Sequence, residues 1–309
     1  MDWITQILAA GLSAGTPLLF ATLGGILIER SGVIQLGAEG LMLMGAVTAA
    51  LMYLWVPNLL LTVGAVLVVG MLLGLLHAFL TVTLRANQIV SGLAMTLFGT
   101  GLSATLGQPV AGAPLVGSAP LLNLNFLSSL PLAGPLLAHL DIFTWLSFIL
   151  VIALTLLLKK TSFGLRLKAV GDSPGTADVM GIPVTLYRYG CVMAGSALMA
   201  LGGADLLLVY SPTWIQGMTA GRGWIAVALI IFSQWNPLRA LIGTYFFGIL
   251  DTLGFRIQLA GSTIPPYFLK MIPYLVTILV LILVGWRTRH RPSSAPRALG
   301  LPYLREQRL

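Results

Sequence analysis

Apolar runs of about twenty residues, separated by short polar or glycine-rich stretches, follow one another along the whole chain. A transmembrane α-helix needs about 20 consecutive, mostly apolar residues, so each such run predicts one membrane crossing. The pattern predicts about nine crossings, within a range of eight to ten. The predicted crossings are 5–28, 41–56, 59–84, 88–106, 142–158, 189–210, 224–235, 240–255 and 268–286.

Two features interrupt the regular pattern near the start of the chain. Pro17 lies inside the first apolar run and is expected to kink that helix. Residues 29–40 then mix glycines with polar residues before the second apolar run begins. Non-helical backbone at membrane depth is stable only where it is buried in protein or lines a wet cavity. The segment 29–40 is therefore predicted to be a broken or re-entrant half-helix.

The composition leaves one class of protein. The 309 residues are 57% hydrophobic and only 8% charged, and the mean hydropathy is +0.95. A soluble domain carries roughly 25% charged residues, which excludes soluble enzymes, nucleic-acid-binding modules and disordered chains. We predict an all-α fold, a polytopic transmembrane helical bundle that forms one membrane domain over residues 1–309.

The net charge of +8 is concentrated in residues 159–188 and in the tail 287–309. Basic residues just beyond apolar segments mark the cytoplasmic side of a membrane protein, so nucleic acid is not the expected partner. With the N-terminus outside, nine crossings place all 17 basic residues inside except Arg222, Arg256 and Lys270. A hidden crossing within 108–140 would instead give ten crossings and an inside N-terminus. The C-terminus is predicted to be cytoplasmic.

No catalytic constellation is visible in the sequence. The patterns His-Glu-x-x-His and Gly-x-x-x-x-Gly-Lys are both missing. We therefore predict no enzyme activity, no catalytic residues and no bound cofactor or metal. The single Cys191 is expected to be a small buried residue, and the isolated His77 a packed, hydrogen-bonded side chain.

Polar residues within or beside the predicted crossings are candidates for a translocation path. A charge at membrane depth costs about 3 kcal/mol, so such residues should face the bundle interior, water or a partner. For Glu39 and Asp205, a structural role and a path role both remain open. Interhelical hydrogen bonding is the alternative for the uncharged residues, while Glu29 and Arg30 are interpreted as ordinary interfacial charges. The path candidates are Gln35, Glu39, Asn87, Gln88, Ser91, Asp205, Gln216 and Arg222.

The basic segment contains one short helix with clear end signals. Ser173 or Asp172 can cap its start, and Pro174 suits the first helical position. Gly181 suits a left-handed residue just past the end, and Pro183 prevents continuation. A helix of two turns is unstable alone, so it must dock either on its own bundle or on a cytoplasmic partner.

Several segments, in chain order, resemble the permease subunits of bacterial ABC importers of the ribose and branched-chain-amino-acid type. The closest resemblance is to the nucleoside branch of that family, and it covers residues 20–303. Gln35, Gln216, Asp172 and residues 233–234 depart from the family pattern, which leaves the exact solute open. The segments that carry the resemblance are 29–40, 163–172, 177–182, 195–203, 216–226, 231–237 and 298–303.

This resemblance implies a half-pore in the bacterial plasma (inner) membrane. Its partners would be a second, homologous or identical permease subunit, a cytoplasmic ATPase that uses the ATP, and an extracytoplasmic substrate-binding protein. The permease domain would span 1–309, with a cytoplasmic coupling segment at 159–188 and a basic cytoplasmic tail at 287–309. The residues expected to couple to the ATPase are Asp172, Ser173, Pro174, Ala177, Asp178, Gly181 and Ile182.

The resemblance favours nucleosides or related purine-like solutes as the cargo. Two alternatives stay open. The same kind of permease could carry simple sugars or other small polar solutes, or the chain could be a stand-alone secondary carrier that needs no ATPase.

Overall fold

A computed structural model describes residues 3–115, 140–259, 265–288 and 294–304. The described residues form eleven α-helices and no β-strand, which confirms the all-α prediction. The helices are α1 Trp3–Arg30, α2 Ala38–Trp55, α3 Leu59–Ala78, α4 Gln88–Gly107, α5 Ile142–Lys160, α6 Ser162–Asp172, α7 Pro174–Val179, α8 Val184–Asp205, α9 Arg222–Phe232, α10 Pro237–Leu259 and α11 Pro266–Thr288. Two π-helical turns, Phe79–Thr83 and Leu206–Tyr210, extend α3 and α8.

Seven of these helices are long and apolar enough to cross a membrane, and α11, with 23 residues, is an eighth long apolar helix. The helices α1 and α8 lie at the centre of the bundle and are mostly buried. They approach closely because glycines face each other: a Cβ atom on Gly24 would overlap the carbonyl oxygen of Gly195. Close backbone approach of this kind is how helices associate in lipid.

The bundle has two ends. We call the one that holds Arg30, α6, α7 and residues 294–304 the basic end, and the other the opposite end. Leu115 and Phe143 belong to one apolar cluster at the opposite end. The alternative of a hidden crossing within 108–140 falls largely on residues 116–139, which lie outside the described part of the chain. The described helices supply seven candidate spans and the long apolar helix α11, so the count of about nine crossings stays a prediction.

The first broken passage lies between α1 and α2. Residues 31–37 are non-helical, and α2 begins at Ala38. A Cβ atom on Gly40 would overlap the backbone of Met95 and Thr96, halfway along α4. The helix α2 therefore starts in the middle of the bundle rather than at its surface, which confirms the predicted break within 29–40.

A second broken passage replaces the predicted crossing 224–235. The helix α9 has only 11 residues, about 17 Å, against roughly 30 Å for the hydrocarbon core of a bilayer. The preceding residues 211–221 contain no α-helix. They start at the opposite end, where Trp214 packs against Gly107, and reach mid-depth, where Gly223 packs against Glu39. The sequence analysis counts 224–235 as one crossing, whereas the structure builds this passage from the irregular residues 211–221 together with the short helix α9.

The C-terminal segment 294–304 returns to the bundle at the basic end. The Ala298 N–H donates to the Gly171 carbonyl at 2.9 Å, and the Gly300 N–H donates to the Gly32 carbonyl at 3.1 Å. Buried Arg188 on α8 donates to the Leu301 carbonyl at 3.3 Å. This segment thus joins the ends of α1, α6 and α8, whereas much of the predicted basic tail lies outside the described residues.

Candidate functional site

The two broken passages meet at Glu39. Its carboxylate accepts hydrogen bonds from the Thr219 hydroxyl at 2.5 Å, the Gly221 N–H at 2.9 Å and the Gly223 N–H at 2.7 Å. The first N–H groups of a helix lack partners within the helix, and its N-terminus favours negative charge. Glu39 therefore caps α9 at mid-depth.

Glycine is required at this junction. Gly221 has a φ of +86°, a conformation that costs a residue with a Cβ atom more than it costs glycine. A Cβ atom on Gly223 would overlap the backbone nitrogen and Cα of Glu39. Because the two segments of the chain approach so closely here, the Glu39 carboxylate can accept hydrogen bonds from the N-terminal N–H groups of α9.

Polar side chains from α3 and α4 hold the first broken segment. The Gln88 side-chain oxygen accepts from the Ile34 N–H at 2.7 Å, and His77 Nε2 lies 3.1 Å from the Ile34 carbonyl oxygen. His77 Nδ1 bonds the Ser91 hydroxyl at 2.9 Å. The prediction of a packed, hydrogen-bonded His77 is confirmed, and the path candidates Gln88 and Ser91 are brought together at the break.

Gln35 joins the same group from within the broken segment. Its side-chain oxygen accepts from the Gly37 N–H at 2.9 Å. Within the described chain, the amide nitrogens of Gln35 and Gln88 are buried and have no hydrogen-bond partner. Buried polar groups are normally hydrogen-bonded. The two amide nitrogens are therefore donors at the break that no described residue pairs.

Three further path candidates lie elsewhere. Asn87 is exposed at the basic end, where its side chain caps α4 by accepting from the Ile89 and Val90 N–H groups. Gln216 is exposed in the second broken passage. Asp205 is fully buried in α8, and neither of its carboxylate oxygens has a hydrogen-bond partner among the described residues. Sequence reasoning brought these residues together as one set, but the structure does not.

Arg222, the last path candidate, begins α9 beside a cavity of about 240 Å³. Its guanidinium forms an ion pair with Asp251 at 3.0 Å and lies 5.1 Å from the centre of the Tyr210 ring, within range of a cation–π interaction. The sequence analysis did not predict this pairing, although an acid within the predicted crossing 240–255 and an arginine just before the crossing 224–235 were the available signal. Residues lining the cavity include Tyr210, Arg222, Phe247, Asp251, Phe255 and Tyr274.

The predicted end signals of the short helix within 159–188 are confirmed. Ser173 precedes the first residue of α7, Pro174 occupies the first position, and Gly181 has a φ of +78°. The Ser173 hydroxyl bonds the Thr176 hydroxyl at 2.8 Å rather than a backbone N–H. These residues form one turn-bounded peg at the basic end.

One face of α7 docks on the bundle and another is exposed. Ala177 is buried against Val170 and Val184, with Ile182 partly buried beside them. Val179 is 84% exposed and Met180 is 76% exposed. The sequence analysis missed this apolar pair because it weighed the helix ends rather than the helix faces.

Glu29 and Arg30 are more than interfacial charges. Glu29 is buried and accepts a hydrogen bond from the Trp235 indole N–H at 2.6 Å. The Arg30 guanidinium donates to the Trp235 carbonyl oxygen at 3.0 Å. The pair thus fastens the end of α1 to the turn that follows α9, and the interfacial interpretation was wrong.

Comparison with known proteins places this geometry in context. The family model described as the permease component of the branched-chain amino acid transport system matches residues 7–281. TsgC13 of Haloferax volcanii, provisionally named a glucose ABC transporter permease, is 38% identical, with 99% of each chain covered. No solved structure matches.

Two relatives carry nucleoside names. The nucleoside ABC transporter permease NupC of Lactococcus lactis is 34% identical, with 98% of each chain covered. The guanosine ABC transporter permease NupQ of Bacillus subtilis is 33% identical, with 99% of this chain and 98% of its own covered. The broken passages, the peg at the basic end and these full-length matches lead to one conclusion: the chain belongs to the family of ABC transporter permeases of the branched-chain amino acid type.

Proposed function

We propose that this chain is the pore subunit of an importer for nucleosides or related purine-like solutes. The observation that carries the proposal is the match, over nearly the whole of both chains, to two permeases named for nucleosides and guanosine. The chain itself provides the path and no catalysis, while a partner ATPase supplies the energy from ATP.

The cavity beside Arg222 suits such a solute. Aromatic side chains line it, including Tyr210, Phe247 and Tyr274, and the Arg222–Asp251 ion pair supplies charge and hydrogen-bonding groups. A purine offers a flat aromatic surface for stacking, and a ribose offers hydroxyl groups for hydrogen bonds. The cavity adjoins the start of α9, and broken helices at mid-depth are typical of binding sites in transport proteins.

The peg at the basic end supports ATPase coupling. Residues 172–182 present the exposed Val179–Met180 pair, while Ala177 anchors them to the bundle. Isolated apolar residues are common on surfaces, but here they lie on a helix too short to be stable without docking. We place this end in the cytoplasm, where a cytoplasmic ATPase would contact it; a second permease subunit and an extracytoplasmic binding protein complete the importer.

A simple sugar is the second candidate solute. The relative named for glucose is 38% identical over the full chain, and aromatic side chains also stack on sugar rings. The distinguishing experiment compares the uptake of guanosine, uridine and glucose by the assembled importer in liposomes, with its own ATPase and binding protein. Uptake of guanosine and uridine, but not of glucose, is the expected result. Uptake of glucose alone would refute the nucleoside proposal.

The same preparation tests the stand-alone carrier. The chain reconstituted without the ATPase is expected to give no uptake with either a proton or a sodium gradient. Gradient-driven accumulation by the single chain would contradict the ABC mechanism.

A further inference from the structure

A second cavity, of about 480 Å³, lies at the basic end, between the end of α5, the helix α6 and the turn that leads into α10. It is distinct from the cavity beside Arg222, and no proposed step of solute transport uses it. We call it the basic pocket. Its polar lining residues include Arg30, Lys159, Lys168, Gln234, Asn236 and Arg239.

The charge of the basic pocket has one sign. Four of its lining residues are cationic, and none of the lining residues is acidic. Lys159 and Lys168 have no ion-pair partner in the described part of the chain. Arg30 donates two hydrogen bonds, from Nε and Nη2, to the Trp235 carbonyl oxygen and interacts electrostatically with Asp172. Arg239 donates a hydrogen bond to the side chain of Gln234. The pocket therefore has uncompensated positive charge.

Two apolar stripes lead away from the basic pocket along the membrane-spanning helices. On α5, the exposed residues Leu156 and Ile152 lie three and seven positions before Lys159, on the same face of the helix. On α10, exposed Ile242 and Phe246 follow Arg239 at the same spacing. Residues three, four and seven apart share one face of a helix, so each stripe begins at a cation and continues toward the middle of the bundle.

The two stripes belong to neighbouring helices. Ser147 on α5 bonds the Tyr245 hydroxyl on α10 at 2.8 Å, and the Phe148 and Tyr245 rings pack with their centres 5.6 Å apart. The helices α5 and α10 are therefore neighbours in the bundle, and each carries its stripe on its exposed side.

We propose that the basic pocket binds the phosphate group of an anionic phospholipid, whose acyl chains lie along the two stripes. The cations supply the recognition, since basic pockets between membrane helices on the cytoplasmic side bind anionic headgroups. The apolar stripes favour a lipid over a free anion, because an acyl chain covers apolar surface and a free anion does not. This inference concerns lipid dependence and does not rest on the identity of the solute.

The test is lipid retention by the assembled importer, measured by native mass spectrometry after exchange into phosphatidylglycerol, phosphatidylcholine or inorganic phosphate. The probe variant is Lys159→Gln/Arg239→Gln. The matched control is Lys160→Gln/Arg166→Gln, which removes the same charge from neighbouring exposed residues that do not line the pocket. Thermal unfolding of both variants checks that they are folded.

The parent importer is expected to retain phosphatidylglycerol and not phosphatidylcholine. The probe variant should bind phosphatidylglycerol roughly 30-fold more weakly, since each removed cation weakens lipid attraction about fivefold. The control should retain the lipid nearly as well as the parent. Equal loss in probe and control would overturn the proposal, as would displacement of the lipid by inorganic phosphate. Unchanged lipid retention in a probe variant that no longer binds its ATPase would assign the pocket to the ATPase instead.

Discussion

The carboxylate of Glu39 lies 2.7 Å from the Gly223 N–H, although 184 residues separate the two along the chain. This one contact joins two chain segments that each begin a helix in the middle of the bundle. The break in one passage therefore stabilises the break in the other, because the acid that enters with α2 satisfies the free N–H groups of α9.

Replacing Glu39 tests this junction. Glu39→Gln turns one acceptor oxygen into a donor that faces backbone N–H groups, and an unmatched buried polar group costs about 1–3 kcal/mol. We expect a lower midpoint of thermal unfolding in detergent, followed by size-exclusion chromatography, and a larger loss for Glu39→Ala. The control is Gln216→Ala, in the exposed part of the same passage. If Glu39→Gln and Gln216→Ala unfolded at the same temperature, the capping role would be wrong.

Two glycines of α8 provide a second comparison. A Cβ atom on Gly203 would overlap the backbone of Met42, whereas nothing lies within 4 Å of a Cβ atom on Gly190. Gly203→Ala is expected to destabilise the bundle by about 1–3 kcal/mol through overpacking. Gly190→Ala should be neutral or stabilise the helix by up to about 1 kcal/mol. The two variants are compared by their yield of monodisperse protein. Equal yields for Gly203→Ala and Gly190→Ala would contradict the packing of α2 on α8.

The bond between Trp235 and Glu29 predicts a rescue. Trp235→Phe removes the indole donor and leaves the Glu29 carboxylate buried without its partner, which costs about 1–3 kcal/mol. Adding Glu29→Gln removes the buried charge, so the double variant should lose less stability than the sum of the single variants. Trp224→Phe, at an exposed tryptophan of α9, is the control. Additive losses in the double variant would show that the two side chains act independently.

Coupling to the ATPase should depend on the exposed face of α7. Met180→Asp and Val179→Asp are expected to abolish solute-stimulated ATP hydrolysis in the assembled importer while the permease remains folded. A buried charge at a protein interface is strongly unfavourable unless it is paired. Met180→Leu keeps the apolar character and should preserve coupling. If both aspartate variants kept full solute-stimulated ATP hydrolysis, the ATPase would have to contact a different part of the permease.

The aspartates of α8 and α10 should respond in opposite ways. Asp205 has no hydrogen-bond partner among the described residues, so Asp205→Asn removes a buried carboxyl group whose charged form is unfavourable there and should leave the unfolding temperature unchanged or higher. Asp251→Asn removes the partner of Arg222 and should lower it. Thermal unfolding of both variants decides, and a large loss of stability in Asp205→Asn would mean that its carboxylate binds something the described residues do not include.

Local signals in the sequence predicted local structure well. Pro174 and Gly181 defined the ends of α7 because each acts through its own backbone preference. The apolar runs located the long helices because burial in lipid requires about twenty apolar residues wherever the helix lies in the bundle. The break after α1 was also predictable, since glycines and polar residues interrupt the apolar pattern there.

Long-range pairings were not predictable from the sequence. Whether Glu39 faces a path or caps a helix depends on where α9 begins, and a short apolar run looks the same in a full and a half helix. The role of Gln88 depended on a backbone N–H in another passage. Asp251 is visible as a charge within the predicted crossing 240–255 and Arg222 as one just before 224–235, but only the packing of α9 against α10 makes them partners.

The C-terminal segment 294–304 links the start of α7 to the break between α1 and α2 through main-chain hydrogen bonds. The residue just before Asp172 accepts a hydrogen bond from Ala298. Two positions further on, Gly300 bonds the carbonyl of Gly32, where the first break begins. Only a substitution that removes a backbone N–H, such as Ala298→Pro or Gly300→Pro, would break this main-chain link between the peg and the break after α1.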